Sequence, residues 1–202
     1  MALVLGVTGG VGTGKSTVLG MLARLGAETV DADEIAHDVL ARDTPAYQRV
    51  VDRFGEQVLA TDRQIDRSAL GSIVFRDPDA RKFLEDVTHP AIIARMQALI
   101  DGFRANPPSA DAVLALEIPL LFECGLEDTV DQVMVVAAEQ RTQVDRLTTG
   151  GAASREEALR RIAAQMPLAH KIDRADKVIW NDGMLQALEC SVRAAWGEIL
   201  LP

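Results

Sequence analysis

Several features that mark large classes of protein are scarce in this sequence. Only two of its 202 residues are cysteines, Cys124 and Cys190, which stand far apart with no neighbours of metal-ligand type. We expect them to be two buried thiols, not a disulfide framework or a zinc site. The longest apolar run, residues 112–122, is interrupted by Glu117 and Pro119. It is too short to span a bilayer.

Basic residues are also in short supply. The chain has 21 Lys and Arg against 30 Asp and Glu, a formal net charge of -9. Because the average electrostatic field of so acidic a chain repels phosphate groups, no nucleic-acid or membrane partner is expected. The apolar N-terminus lacks the basic residues of a signal peptide. We therefore expect a cytoplasmic protein. As a separate expectation that composition does not supply, the chain is a monomer or small homo-oligomer.

Short apolar runs that alternate with helical periodicity predict an α/β fold with a parallel five-stranded sheet flanked by helices. Nearly continuous apolar strands are typical of a parallel sheet, which is buried on both faces. The strands are expected at residues 3–7, 28–30, 112–118, 133–137 and 178–180.

A glycine loop follows the first strand and decides the class of protein. Residues 9–16 fit the phosphate-binding pattern G-x-x-x-x-G-K-[ST] in full, and a predicted helix follows. Glycines let backbone N–H groups approach phosphate oxygens, Lys15 reaches the β- and γ-phosphates, and the Ser16 hydroxyl can bind Mg²⁺. The sequence thus predicts a P-loop NTPase-type fold. Its nucleotide contacts are expected at Gly10, Val11, Gly12, Thr13, Gly14, Lys15, Ser16 and Thr17.

Two other nucleotide-binding classes are disfavoured. No phase of the glycines gives G-x-G-x-x-G, and the Asn-Lys-x-Asp motif of a GTPase is absent. A small P-loop protein that also has an inserted helical lobe (residues 34–109) and a basic segment (residues 140–177) is typical of a kinase of a small molecule.

The middle of the chain has helix signals in place of strand signals. Thr44-Pro45 and Asp77-Pro78 each pair an N-cap with a first-turn proline, and His89-Pro90 is predicted to open a separate helix over 91–103. We predict one domain, 1–202. Its nucleotide-binding core, 1–33 and 110–202, would carry an inserted acceptor-binding lobe, 34–109.

A basic segment near the C-terminus is a candidate lid. Residues 140–177 carry a net charge of +3, and a lid over residues 140–175 could bring arginines such as Arg146 over the transferring phosphate. The alternative is a solvated helix face with the pairs Glu156–Arg160 and Glu157–Arg161. Ser154, three residues before Glu157, predicts the N-cap of a helix over 155–165.

Three further side chains could carry chemistry or merely structure. Asp33, just beyond the second strand together with Asp31, is a general base, a carboxylate that holds Mg²⁺ through water, or the N-cap of the next helix. Glu117 is either a metal contact or an acid in a turn. His89 is either a ligand contact or a capping or packing residue.

Several motifs together resemble the dephospho-coenzyme A kinase family. Thr88-His89-Pro90 and Ile118-Pro119-Leu120-Leu121-Phe122-Glu123 are the most specific, and the matches run in family order over nearly the whole chain. The resemblance implies transfer of phosphate from ATP, with Mg²⁺, to the ribose 3′-hydroxyl of dephospho-coenzyme A. It implies that Asp33 is the base and that Asn181 lies beside the adenine. It also implies that Thr8, Arg67 and His89 bind the acceptor.

The chain departs from the family pattern at two positions. Glu117 stands where the family often has Asp, which keeps the charge and a metal role together with Ser16. Gly150 stands where the family usually has an arginine, four residues after Arg146. We therefore expect a weakened enzyme. A nucleoside or nucleotide kinase and a non-catalytic, nucleotide-switched binding module remain as alternatives.

Overall fold

A computed structural model of the chain describes residues 2–151 and 153–200. Met1, Leu201 and Pro202, which belong to the predicted core, and Ala152 of the predicted lid lie outside the described residues. The chain forms two compact units, residues 1–31 with 103–202 and residues 32–102. Compared with the predicted lobe of 34–109, the second unit begins two residues earlier and ends seven residues earlier.

The first unit is built on the predicted parallel sheet. Its strands are β1 (Leu3–Gly9), β2 (Glu28–Asp31), β3 (Val113–Glu117), β4 (Gln132–Ala137) and β5 (Lys177–Trp180). They lie in the order β2-β3-β1-β4-β5, and every neighbouring pair is parallel. The prediction of a P-loop-type five-stranded sheet is confirmed.

The central strands β1, β3 and β4 are apolar and almost wholly buried, as is typical of a parallel sheet covered by helices. The same unit also contains helices. They are α1 (Lys15–Leu25), α6 (Gln140–Thr148), α7 (Arg155–Ala163), α8 (Leu168–Ile172) and α9 (Leu185–Ile199). Side chains of α1 and α9 form one core with the strands, in which Val7, Val18, Met134 and Val192 have no exposed surface.

The second unit is helical, as expected of the inserted lobe. It contains α2 (Ala32–Val39), α3 (Pro45–Phe54), α4 (Arg67–Arg76) and most of α5 (Pro78–Ala105). The predicted caps are present: Thr44 Oγ1 accepts the Tyr47 N–H, and Asp77 Oδ1 accepts those of Asp79 and Ala80.

The prediction that Pro90 opens a new helix is wrong, because Pro90 lies inside the continuous helix α5. A proline in a helix removes one backbone hydrogen bond and disfavours helical geometry in the preceding residue. Here Val87, Met96 and Ile100 are buried on both sides of the proline. Their burial outweighs the lost bond.

The expectation of two buried thiols is also wrong. Cys124 is partly exposed and Cys190 is exposed on α9. In the described residues, no helix combines the length and the apolarity needed to cross a membrane.

Candidate active site

The glycine loop turns directly from β1 into α1, and backbone geometry requires glycine at its last turn. Gly14 is the N-cap of α1 and has a φ of 91°, in the left-handed region. A Cβ atom on Gly14 would lie 2.3 Å from Nδ2 of Asn181. Only glycine therefore fits this position without strain and displacement of Asn181.

Two side chains of the loop donate hydrogen bonds back to its backbone. Thr13 is fully buried, and its Oγ1 donates to the Gly10 carbonyl over 2.9 Å. Lys15 is only 9% exposed, and its Nζ donates to the same carbonyl over 3.2 Å. The ammonium of Lys15 therefore lies over the loop, where a phosphate chain would be cradled.

Ser16 and Glu117 meet at the carboxyl end of the sheet. Ser16 Oγ donates to Oε1 of Glu117 over 3.2 Å, and Glu117 is 5% exposed as the last residue of β3. In the sheet register Glu117 stands between Val7 of β1 and Asp31 of β2. A hydroxyl and a carboxylate are hard oxygen ligands of the kind Mg²⁺ takes alongside substrate phosphates. The pair fits the predicted metal role.

Arg146 and Asn181 hold the outer side of the loop. The Arg146 guanidinium donates from Nη1 to the carbonyls of Gly12 and Thr13, over 3.2 and 3.1 Å, and from Nη2 to that of Asn181 over 2.7 Å. Asn181 is 7% exposed and donates from Nδ2 to the Thr13 carbonyl over 2.8 Å. The structure thus brings both predicted residues to the loop, with backbone carbonyls as partners.

Two glutamines that sequence reasoning gave no role also contact the loop. Gln165 Oε1 accepts the N–H of Val11 over 2.7 Å. Gln143 is buried and donates to the Ala138 carbonyl over 3.0 Å, and a Cβ on Gly10 would lie 2.8 Å from its Oε1. A neutral carboxamide forms no recognisable chemical motif. Gln143 and Gln165 are among the residues that match the family pattern, and this match is the one signal in the sequence that points to them.

The basic segment forms the local ion pairs of the alternative interpretation. Arg160 pairs with Glu156 at 2.8 Å, and Arg161 pairs with Glu157. The N-cap prediction is confirmed, since Ser154 Oγ accepts the Glu157 N–H, although α7 ends at Ala163 and not at residue 165. A lid function of residues 140–175 stays a prediction.

The two carboxylates after β2 occupy different positions. Asp31 is the last residue of β2, whereas Asp33 is an exposed residue in the first turn of α2, which begins at Ala32. Asp33 is therefore inside the helix, and the N-cap alternative is wrong. A carboxylate in a first turn interacts favourably with the helix dipole, and a catalytic role for Asp33 stays a prediction.

The residues predicted to bind the acceptor belong to three different elements. Thr8 is fully buried in β1, and its Oγ1 donates to the Pro119 carbonyl over 3.3 Å. Arg67 is the exposed first residue of α4, whose N-cap is Asp66. His89 is half-buried in the middle of α5, so the capping alternative for it is wrong. Their acceptor contacts stay predictions.

The parallel sheet, the glycine loop at the start of α1 and the Ser16–Glu117 pair define a P-loop kinase. The dephospho-CoA kinase family model matches residues 3–187. A dephospho-CoA kinase of Geobacter metallireducens is 45% identical over 197 residues, which cover 97% of this chain and 96% of that relative. A dephospho-CoA kinase of Moorella thermoacetica is 43% identical over 197 residues, which cover 97% of this chain and 92% of that relative. The chain belongs to the dephospho-CoA kinase family.

Solved structures share this fold. A dephospho-CoA kinase from Campylobacter jejuni has a TM-score of 0.74 at 28% identity and covers 98% of both chains. A crystal structure of a protein from Thermus thermophilus has a TM-score of 0.77 at 36% identity, covering 98% of this chain and 97% of the other.

Proposed function

We propose that this chain transfers the γ-phosphoryl group of ATP to the ribose 3′-hydroxyl of dephospho-coenzyme A at the site built around residues 9–17. The observation that carries the proposal is the complete phosphate loop, with Ser16 and Glu117 hydrogen-bonded at the carboxyl end of the sheet. Ligands of open α/β folds bind at that end. Membership of the kinase family supplies the acceptor.

The loop would bind the triphosphate through its backbone N–H groups, the N-terminus of α1 and the Lys15 ammonium. The loop residues assigned to ATP are Gly10 through Thr17. Mg²⁺ fits the oxygens of Ser16 and Glu117, and when bound it would neutralise charge on the β- and γ-phosphates. Lys15 would stabilise the negative charge that develops on the leaving ADP.

Asp33 would accept the proton of the attacking hydroxyl. The 3′-oxygen forms a bond to the γ-phosphorus, the bond from that phosphorus to the ADP oxygen breaks, and the hydroxyl proton goes to the Asp33 carboxylate. This role is supported by the position of Asp33, two residues beyond the last residue of β2. Arg67 and His89 of the lobe, with Thr8, would hold the acceptor.

Arg146 and Asn181 would serve the nucleotide side of the site. Asn181 follows β5 and bonds to Thr13, which supports its place beside the adenine. Arg146, anchored on the loop carbonyls, would contribute positive charge near the phosphates. We place the enzyme in the cytoplasm, as a monomer or small homo-oligomer.

The test is an ADP-release assay with purified protein, ATP and Mg²⁺, comparing dephospho-coenzyme A with a panel of nucleosides and nucleotides. We expect ADP release that depends on dephospho-coenzyme A and yields a 3′-phosphate. Turnover with a nucleoside or nucleotide alone would favour a kinase of another acceptor. ATP binding without turnover on any acceptor would indicate a nucleotide-switched binding module.

A further inference from the structure

A fully buried lysine lies outside the phosphate loop. Lys171, in the short helix α8, has no exposed surface, and neither the mechanism nor the family motifs account for it. Its Nζ lies 2.8 Å from Oε1 and 3.1 Å from Oε2 of Glu123, and it donates to the Pro119 carbonyl over 3.1 Å. An ammonium is removed from water only at a large cost in free energy unless such partners replace the water.

Glu123 is held as the anionic partner. Burial on its own would raise the pKa of its carboxyl, but hydrogen bonds from Lys171 and from the N–H of Met166, with the Lys171 charge, hold that pKa below its usual range. The Glu123 carboxylate therefore stays ionised at neutral pH. The side chain of Glu123 is 22% exposed, whereas the side chain of Lys171 is fully buried.

The Pro119 carbonyl joins this ion pair to the active site. It accepts from Lys171 Nζ and also from Oγ1 of Thr8. Pro119 stands two residues after Glu117, and the intervening Ile118 donates its N–H to the Val7 carbonyl over 2.9 Å. Residues 118–123, here called the β3 loop, are thus fastened at one end to β1 and at the other to α8.

We propose that Lys171 is a positioning residue for phosphoryl transfer. Its ammonium holds the Pro119 carbonyl and the Glu123 carboxylate together, and so keeps the β3 loop in the arrangement that directs Glu117 toward Ser16. This inference rests on the proposed function, because the arrangement matters for catalysis only if Ser16 and Glu117 serve the Mg²⁺ of an ATP-dependent reaction.

The chemistry favours lysine at this position over a neutral residue. An ammonium has three donors, which suffice for both Glu123 oxygens and the Pro119 carbonyl. A methionine of similar length would fill the space and donate to none of them. The difference between the two side chains therefore isolates the donated hydrogen bonds and the charge.

The first experiment compares Lys171→Met with Lys177→Met in the ligand-free protein by amide hydrogen exchange. Lys177 pairs with Glu198 at the surface. Lys177→Met therefore also removes a lysine and an ion pair, but this pair does not involve the β3 loop. We expect faster exchange in residues 118–123 for Lys171→Met and unchanged exchange there for Lys177→Met. Unchanged exchange in both variants overturns the proposal.

The second readout is the Mg²⁺ dependence of turnover. Loss of an outer partner of a metal ligand typically lowers metal affinity or activity by ~10–100-fold. We expect Lys171→Met to lower kcat and to raise the half-saturating Mg²⁺ concentration at least ~10-fold, with Lys177→Met within about twofold of wild type. A Lys171→Met enzyme with wild-type kcat and Mg²⁺ dependence overturns the proposal.

The double variant Lys171→Met/Glu123→Gln separates positioning from stability. Removing both charges leaves no uncompensated carboxylate, so the Tm should return toward that of wild type. The Pro119 carbonyl still lacks the Lys171 donor and keeps the Thr8 hydroxyl, so kcat and exchange should stay impaired. Recovery of kcat together with Tm shows a merely structural role and overturns the proposal.

Two further outcomes remain decisive. If Lys171→Met does not fold, the single variant Glu123→Gln replaces it, because the amide keeps the shape of the side chain. We then expect faster exchange in residues 118–123 and a higher half-saturating Mg²⁺ concentration. If neither quantity changes, the proposal is overturned. If wild-type protein shows no acceptor-dependent ADP release, the proposed function fails. The positioning role then fails with it. An active wild type beside a Lys171→Met variant whose kcat, Mg²⁺ dependence and exchange at residues 118–123 are all impaired supports both.

Discussion

The hydroxyl of Ser16 donates to the carboxylate of Glu117 over 3.2 Å, although 101 residues of sequence separate them. One residue ends β3, and the other lies in the first turn of the helix that follows β1. Because β1 and β3 are hydrogen-bonded neighbours, the sheet order itself creates this contact. The pair brings two metal-binding oxygens to the place where the phosphate loop would present ATP.

Glu117→Gln tests the metal role of this pair. The amide keeps the shape and one acceptor oxygen but loses the charge that favours Mg²⁺. We expect the half-saturating Mg²⁺ concentration to rise at least ~10-fold, measured by ADP release at fixed ATP. Glu28→Gln, at the exposed start of β2, is the control. An unaltered Mg²⁺ requirement in Glu117→Gln would remove Glu117 from the metal site.

Lys15→Ala tests the phosphate cradle. Loss of the ammonium removes charge stabilisation in the transition state, so kcat/KM for ATP should fall by on the order of 10²–10³ or more. Lys82→Ala, which breaks a surface pair with Asp86 on α5, should leave kcat/KM near the wild-type value. A comparable kcat/KM for the Lys15 variant and wild type would show that the loop is not used for phosphate binding.

Most of the sheet could be predicted because the central strands β1, β3 and β4 are short apolar runs, each with its own local signal. The glycine loop could also be predicted, because the spacing of its glycines and its position after β1 can both be seen in consecutive residues. The helix through Pro90 could not be predicted, because the local rule that prolines end helices competes with burial on both sides of it. That balance depends on packing, which consecutive residues do not reveal.

Parts of the site could not be predicted for the same reason. Gln165 and Lys171 act through contacts that span 154 and 52 residues of sequence. A lysine is typically found on a solvated surface. Its full burial follows only from where α8 packs.

Gly14→Ala tests the fit of the loop against Asn181. A left-handed φ costs an alanine roughly 1–2 kcal/mol, and the new Cβ would also displace the Asn181 amide. We expect lower Tm and weaker ATP binding, measured by thermal unfolding and calorimetry. Gly26→Ala shares the positive φ, but among the described residues nothing crowds the position that its Cβ would take. The control should lose stability and keep ATP affinity, and an equal loss of affinity in both would contradict the account.

Gly150→Arg tests whether a lid arginine is missing. Gly150 has a φ of 72°, and no atom of the described chain beyond its immediate neighbours lies within 4 Å of the position that a Cβ would take. We expect kcat to rise with little change in KM for dephospho-coenzyme A, because a guanidinium would stabilise the transferring group. Gly150→Ala carries the same backbone strain without the charge and should not raise kcat. An unchanged or lower kcat in Gly150→Arg would mean that the lid is complete without an arginine there.

The most direct test of phosphoryl transfer with Asp33 as base is the turnover of Asp33→Asn under saturating ATP and dephospho-coenzyme A. The matched control is Asp38→Asn, an exposed carboxylate on the same helix α2. We predict that Asp33→Asn binds ATP like wild type but turns over at least ~100-fold more slowly, since general-base help is typically worth that factor. Asp38→Asn should turn over like wild type. Wild-type turnover in Asp33→Asn would contradict the account.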